Sequence, residues 1–389
     1  MSGKRRKICI VITARPSYAR IKSVLEAVRD HPDLDLQLVV AASALLERYG
    51  RVIDVIQADG FKPVATVYML VEGENLVTSA KSTGIGIVEL STIFDNLKPD
   101  IVLSVADRYE TIATAIAASY LNIPVGHVQG GEVTGSIDEK VRHAVTKLSN
   151  LHFVSSQEAR ERVLRMGEDP GTVYATGCPS IDIAARILSE KKSDFNVYNE
   201  TGGSGVGHPV DTKKDYIIVM QHPVPTEDKD ARMQALITLK AVHEVGLPTF
   251  WFWPNVDAGS DVTSNVLRAY REQHDPENIY FLKNLSPENF IRLLRNARCI
   301  AGNSSVAIRE ASFLGVPAVN IGTRQRGRER GPNVVDVAHD KNEISKALRK
   351  QADLGKAQGC EIYGDGQAGK RIADILATAE LNIDKQISY

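Results

Sequence analysis

Ile123-Pro-Val-Gly-His-Val128, followed by Gly130-Gly-Glu-Val-Thr-Gly-Ser-Ile-Asp-Glu-Lys-Val-Arg-His143, is the stretch that decides how this chain folds. The first six residues have the composition of a buried strand. Gly130, Gly131 and Gly135 make a pliable loop, and Ser136-x-x-Glu139 has the spacing of a capping box opening a helix. Strand, glycine loop and helix form a β-loop-α unit, and open α/β sheets gather their active sites at such strand ends. The connection also carries Glu132, Asp138, Glu139, Arg142 and His143. Asp138/Arg142 and Glu139/His143 are spaced i,i+4, so the alternative for each couple is an exposed stabilising pair worth about 0.2–0.5 kcal/mol. Glu132 precedes the cap, sits among glycines and has no cationic neighbour in sequence, which favours a functional role.

Working outward, the same rhythm fills the chain. Ile8-Cys-Ile-Val-Ile12 is a β-branched apolar run suited to a strand buried on both faces, and it feeds Thr13-Ala-Arg-Pro-Ser-Tyr18 and an amphipathic helix. Further strands are predicted at 34–42, 64–69, 101–105 and 152–155, with helices between them, including one to about Ala58, one over 84–97 and an Ala-rich one ending at Leu121. Asn196–Lys214, with Thr201-Gly-Gly-Ser-Gly-Val-Gly-His-Pro209, breaks the pattern and reads as a flexible linker. The alternation then restarts, with strands at 216–220, 248–253, 279–282, 299–301 and 318–321. This predicts an α/β protein of two Rossmann-like domains with parallel sheets, 1–195 and 215–389, joined by the linker 196–214, with the last helix a candidate to pack back on the first domain. The active site is expected in the interdomain cleft.

Composition narrows the function. The 389 residues carry 47 Lys and Arg against 48 Asp and Glu, a formal net charge of -1, so no global field draws in nucleic acid or a membrane surface. The four cysteines form no C-x-x-C pair, and Cys9 and Cys299 lie in apolar runs as buried reduced thiols. No signal peptide or spanning apolar run is found, which points to the cytoplasm, and no H-E-x-x-H calls for a metal.

In the second half, Gly302-Asn-Ser-Ser305 is predicted to join a strand to a helix, putting hydroxyls and N–H groups at the positive end of a helix dipole as a phosphate seat. Ser304 or Ser305 is equally readable as a plain N-cap. Thr323-Arg-Gln-Arg-Gly-Arg-Glu-Arg330 adds four arginines to the same sheet edge, and together they favour a diphosphate. Neither loop carries a G-x-G-x-x-G or a Walker lysine, which argues against a dinucleotide cofactor or P-loop hydrolysis. Gln221-His-Pro-Val224 ends a strand and places His222 where a general acid would serve, with a capping or surface role as the alternative.

Taken together, Arg15-Pro-Ser-Tyr18, Asp107-Arg108, Gly130-Gly-Glu132 with Ile137–His143, Gly177-Cys-Pro-Ser180, Gln221-His-Pro223, Pro254–Ser260, Gly302–Ser305 with Arg309-Glu310, and Gly322-Thr-Arg-Gln325 resemble the hydrolysing UDP-N-acetylglucosamine 2-epimerases over about residues 10–366. The resemblance implies a glycosyltransferase-B type fold, UDP on the second domain and the sugar with its carboxylates on the first. It implies that Asp107, Glu132 and Asp138 are catalytic carboxylates and His222 the active-site histidine. Ser304 and Ser305 would hold the diphosphate, Glu310 the ribose hydroxyls, and Arg15 and Arg324 the phosphates, while Arg108, Arg142, His143 and Asn255 complete the substrate-binding set. No cofactor or metal is implied; the partner is a small-molecule UDP-sugar, and the chain is expected to be a homodimer or homotetramer. The reaction implied converts UDP-N-acetylglucosamine and water to N-acetylmannosamine and UDP, a precursor step of sialic-acid-type biosynthesis. Alternatives are hydrolysing epimerisation of UDP-N,N'-diacetylbacillosamine, the non-hydrolysing epimerase, glycosyl transfer on the same fold, and a non-catalytic UDP-sugar sensor.

Overall fold

A computed structural model describes residues 5–73, 75–105, 108–134, 137–191, 195–200, 205–254 and 260–388, without the side chains of Arg48, Pro225 and Asp228. The chain forms two compact units, one of residues 1–182 with 363–389 and the other of residues 183–362.

The first unit holds β1 (Arg6–Ile12), β2 (Leu34–Ala41), β3 (Ala65–Val67), β4 (Ile101–Val105), β5 (Val125–Val128), β6 (Leu151–Val154) and β7 (Val173–Ala175). They form one parallel sheet in the order β3-β2-β1-β4-β5-β6-β7, with Ile8 opposite Leu36 on one side and Ile101 on the other. The β-branched run of β1 explains its central place, since both of its faces are covered. Ile8, Ile10 and Ile12 pack into one core layer, while Cys9 and Val11 pack into the other. Burial pushes the Cys9 thiol up to about 12, so it stays protonated and inert.

The second unit holds β8 (Val206–Gly207), β9 (Ile217–Met220), β10 (Thr249–Phe252), β11 (Ile279–Leu282), β12 (Cys299–Gly302), β13 (Ala318–Ile321) and β14 (Val334–Val337). The order is β14-β13-β12-β9-β10-β11-β8, parallel throughout except for β8, which runs antiparallel along β11. Aromatic side chains alternate across β10: Phe250 and Phe252 enter one core layer and Trp251 the other.

Two expectations about domain boundaries need correction. The first unit ends at Asp182, and the stretch 196–214 belongs to the second unit, where Val197 and Val210 are buried and Val206–Gly207 pairs with Tyr280–Phe281. Its glycines masked an edge strand and two apolar anchors, while residues 201–204 lie outside the described residues. The second unit also gives back the final residues. From Tyr363 the chain returns to the first unit, where helix Ala368–Thr378 joins the core layer around Ile8 and Ile21. At that helix start, Gly364-Asp-Gly-Gln-Ala-Gly369 has the spacing of a dinucleotide fingerprint, but it follows no strand. The helix N–H groups of Ala368 and Gly369 donate to Asp182 Oδ1 and Oδ2 at 2.9 and 2.6 Å, so the chain's own carboxylate fills the anion position.

Candidate active site

Among the parallel strands of each sheet the order reverses direction once, between β1 and β4 in the first and between β9 and β12 in the second, and ligands of open α/β sheets bind at the carboxyl ends beside that point. Both reversals are lined by buried polar side chains.

In the first unit the chain leaves β5 through Gln129, with φ of 68°, and Gly131, with φ of 75°. A Cβ on Gly131 would lie 2.2 Å from the Ala159 carbonyl oxygen, a backbone atom that cannot yield, so only glycine fits. The turn brings Glu132 to 4% exposure. Arg142, buried at 1% exposure on helix Ile137–Leu148, clamps the loop. Its Nη1 donates to the Glu132 carbonyl and to Thr134 Oγ1, both at 3.0 Å. Glu139 accepts from the Thr134 N–H at 2.6 Å and lies 3.3 Å from His143 Nε2, so the Glu139/His143 couple forms as a half-buried pair. Asp138 stands in the first turn of the same helix, and Ser136, the expected cap, lies outside the described residues.

At the reversal itself, Ser43 Oγ donates to the Thr13 carbonyl at 3.1 Å, and Arg15 opens helix Arg15–Asp30. Burial pulls the Arg15 pKa down to about 10, which leaves it a poorly solvated cation at neutral pH and a natural partner for an anion. After β4, Arg108 Nε pairs with Glu110 Oε1 at 2.7 Å, and Glu110 is 1% exposed. Thr13 Oγ1, Ser104 Oγ, Glu110 Oε2, Gln129 Oε1 and Ser155 Oγ are buried without a hydrogen-bond partner among the described residues. Buried polar atoms of this kind call for a ligand or ordered water.

In the second unit the reversal is closed by an amide. Asn303 accepts from the His222 N–H at 2.8 Å and donates to the His222 carbonyl at 2.7 Å, while its own N–H donates to the Met220 carbonyl at 3.1 Å. Gly302 makes this possible, since at φ of 120° a Cβ would lie 2.1 Å from the Met220 carbonyl oxygen. The Asn303 carbonyl in turn accepts from Gln325 Nε2 at 2.8 Å and Arg324 Nη1 at 3.3 Å. His222 and Gln221 are thereby fixed at the end of β9, both nearly inaccessible. Neither side-chain polar atom of Gln221, nor Glu310 Oε2, has a partner among the described residues.

The helix expected to contain Ala307–Ser312 is present as two short pieces. A three-residue 3-10 turn, Ser305–Ala307, is followed by a five-residue helix, Glu310–Leu314. Ser304 caps the turn, accepting from the Val306 N–H at 3.4 Å. Little macrodipole survives in so short a helix, so anion binding here depends on single N–H groups and arginines. Of the four arginines, Arg330 is spent on structure: it pairs with Asp336 at 2.7 Å and donates to the Arg328 and Gln325 carbonyls.

A family model described as UDP-N-acetylglucosamine 2-epimerase matches residues 26–377. The chain belongs to this epimerase family. It is 33% identical over 377 residues to the UDP-N,N'-diacetylbacillosamine 2-epimerase (hydrolyzing) of Legionella pneumophila, covering 97% of each chain. To the UDP-N-acetylglucosamine 2-epimerase of Neisseria meningitidis it is 28% identical over 379 residues, 97% of this chain and 96% of the other. Among solved structures, the Neisseria meningitidis UDP-GlcNAc 2-epimerase bound to UDP-GlcNAc matches with a TM-score of 0.77 at 19% identity, covering 95% of this chain and 99% of that one, which shows the shared fold.

For an epimerase of this family, the structure groups Glu132 with Arg142 on the first unit, and His222, Ser304 and Arg324 around Asn303 on the second. Asp107 and Asn255 lie outside the described residues. Glu110, Gln221, Asn303 and Gln325 escaped sequence reading as site residues. Their shared signal was a polar residue directly after a strand or a motif, where nothing else needs polarity. Among the described residues no group of three His, Cys, Asp or Glu side chains is arranged to hold a metal ion, and no helix is long and apolar enough to cross a membrane.

Proposed function

We propose that this epimerase acts with hydrolysis: a UDP-2-acetamido sugar and water give UDP and the free sugar inverted at C2. The observation that carries the proposal is the buried Glu132 on a loop clamped by buried Arg142. The C2 proton is not adjacent to a carbonyl and is weakly acidic, so C1–O cleavage must run ahead of its removal. Positive charge then builds on C1 and the ring oxygen, and fixed carboxylates near the sugar stabilise it. Glu132, with Asp107 and Asp138, fills that need, one of them taking the C2 proton. The products of this half are a glycal and UDP.

The leaving diphosphate gains charge in the same step. Ser304, Ser305, Arg15 and Arg324 receive it, His222 supplies a proton, and Glu310 holds the ribose. Arg108, Arg142, His143 and Asn255 complete the surroundings of the substrate. Water then adds across the C1–C2 double bond, hydroxyl to C1 and a proton to the opposite face of C2. With UDP-N-acetylglucosamine the sugar released is N-acetylmannosamine.

The 33% identity to the Legionella pneumophila enzyme supports a second substrate, UDP-N,N'-diacetylbacillosamine, for the same chemistry. Proton NMR in deuterated water, with each nucleotide sugar in turn, tests both. A free sugar carrying deuterium at an inverted C2, together with UDP, is the expected result, and the faster substrate is the physiological class. Accumulation of an intact C2-inverted UDP-sugar would move the chain to non-hydrolysing epimerisation. An untouched substrate in both cases would leave a binding protein.

A further inference from the structure

Below the first sheet, at the amino ends of its strands, lies a charged cluster that the chemistry above does not use. Glu168, 3% exposed, receives Lys147 Nζ on Oε1 at 2.6 Å, Lys385 Nζ on Oε2 at 2.6 Å and His152 Nε2 on Oε2 at 2.9 Å. His152 is fully buried, and burial holds it below its ordinary pKa, so it serves as a neutral donor. One carboxylate thus faces two ammonium groups. The surplus positive charge is taken up by main-chain carbonyls at the end of helix Ile137–Leu148: Lys385 Nζ donates to Thr146 O at 3.1 Å and to Ser149 O. A cation at a helix carboxyl end is favourably placed.

The chain reaches this spot by a particular route. Helix Ala368–Thr378 packs in the core layer of Ile8 and Ile21, with Arg6 Nη1 donating to the carbonyls of Leu376 and Ala379 at 2.6 and 2.9 Å. Beyond it the tail meets residues of the opposite layer, where Val141 and Val145 lie. Asn150 donates to the Asn382 carbonyl at 2.8 Å while accepting from the Val125 N–H at 3.0 Å, and the Ser388 N–H donates to Gly167 O at 2.9 Å. The segment therefore ties together the helical layers on the two faces of the sheet.

We propose that residues 382–388 are a strap that sets the position of helix Ile137–Leu148, with Lys385 as a positioning residue for the reaction assigned to this site. The helix has 12 residues and is anchored by the strap at its carboxyl end, with Arg142 about 6 Å and Asp138 about 12 Å along the axis from Thr146. A rigid helix transmits a shift along its length, and displacement of a catalytic group by about 1 Å costs on the order of 100-fold in rate. The proposal rests on the functional reading above and is tested apart from it.

Lys385→Met and a chain ended at Leu381 are compared with wild type in three measurements: kcat and KM from UDP release, UDP affinity by calorimetry, and amide hydrogen exchange. Expected are a kcat lowered at least about tenfold, UDP affinity within about twofold, faster exchange confined to residues 137–150, and recovery of most of kcat in Lys385→Arg. Wild-type kcat in Lys385→Met, or exchange at 137–150 unchanged in the shortened chain, overturns the strap. So does a parallel loss of UDP affinity, which would mean general damage. Absence of turnover in wild type with faster exchange in the shortened chain overturns the reaction and leaves the strap standing.

Discussion

One strand beyond the reversal point of the first sheet, after β5, the functional loop is held by charge, with a buried arginine reaching across to the Glu132 carbonyl. At the reversal point of the second sheet the loop is held by the neutral side chain of Asn303, which makes two hydrogen bonds to the His222 backbone. A charged clamp suits the proposed reaction, in which carboxylates stay in place while positive charge grows on a sugar, and it brings a desolvation cost with it. A neutral clasp adds no carboxylate of its own to the loop, which suits a site for an anion.

The contrast can be broken most directly at Glu132. Glu132→Gln should lower kcat about 1000-fold while UDP affinity, measured by calorimetry, stays at the wild-type value. Turnover within tenfold of wild type would remove the carboxylate from the chemistry. The next test uses pH. Burial alone would raise the Glu168 pKa, but hydrogen bonds from His152, Lys147 and Lys385 outweigh it and hold the group at about 2 against an ordinary 4.5. Between those values the unfolded chain binds the extra proton. The stabilisation, about 3 kcal/mol, is therefore present above pH 4.5 and lost as pH falls toward 2. His152, depressed from its ordinary 6.5, acts in the same direction at higher pH. Both tryptophans, Trp251 and Trp253, are in the second unit. On acid titration, far-UV circular dichroism should begin to fall before tryptophan fluorescence shifts, and Glu168→Gln should flatten that early phase. Coincident curves in wild type would show that the units do not differ in acid sensitivity.

Smaller effects sharpen the second half of the comparison. Asn303→Ala orphans the His222 N–H and carbonyl, and should cost about 2 kcal/mol in urea unfolding and weaken UDP about tenfold, with no change in pH profile. A pH-dependent loss would mean that this clasp is not electrically neutral in effect. Ser304→Ala removes only a long capping bond of 3.4 Å and should cost less than about 1 kcal/mol. A larger loss would show that the hydroxyl carries more than the cap.

Much of this architecture was legible because strands such as Ile8–Ile12 and Tyr216–Met220 are apolar on both faces, and only a covered parallel sheet accommodates that. The strands that escaped notice are the ones without this signature. Val173–Ala175 is three residues long, Val206–Gly207 lies in a glycine-rich run, and β14 is only partly buried and carries Asp336. Glu132 stands out as a candidate in the sequence because nothing in its neighbourhood calls for a carboxylate, and the structure buries it. Asn303 was read as one more polar residue in a phosphate loop, since its role depends on a strand more than eighty residues earlier. The Glu168 cluster had no local pattern to read, as its partners come from a helix, a strand and the far tail.

The discontinuity of the first unit also bears on how the protein is made. Residues 1–182 leave the ribosome without helix Ala368–Thr378 to cover Ile8 and Ile21, and they must wait for the whole of 183–362 to be synthesised before that layer closes. The second unit is contiguous and can complete its core while the first is still open. Vectorial synthesis therefore favours a folding order opposite to the order of the chain, and the carboxylate-bearing half is finished last.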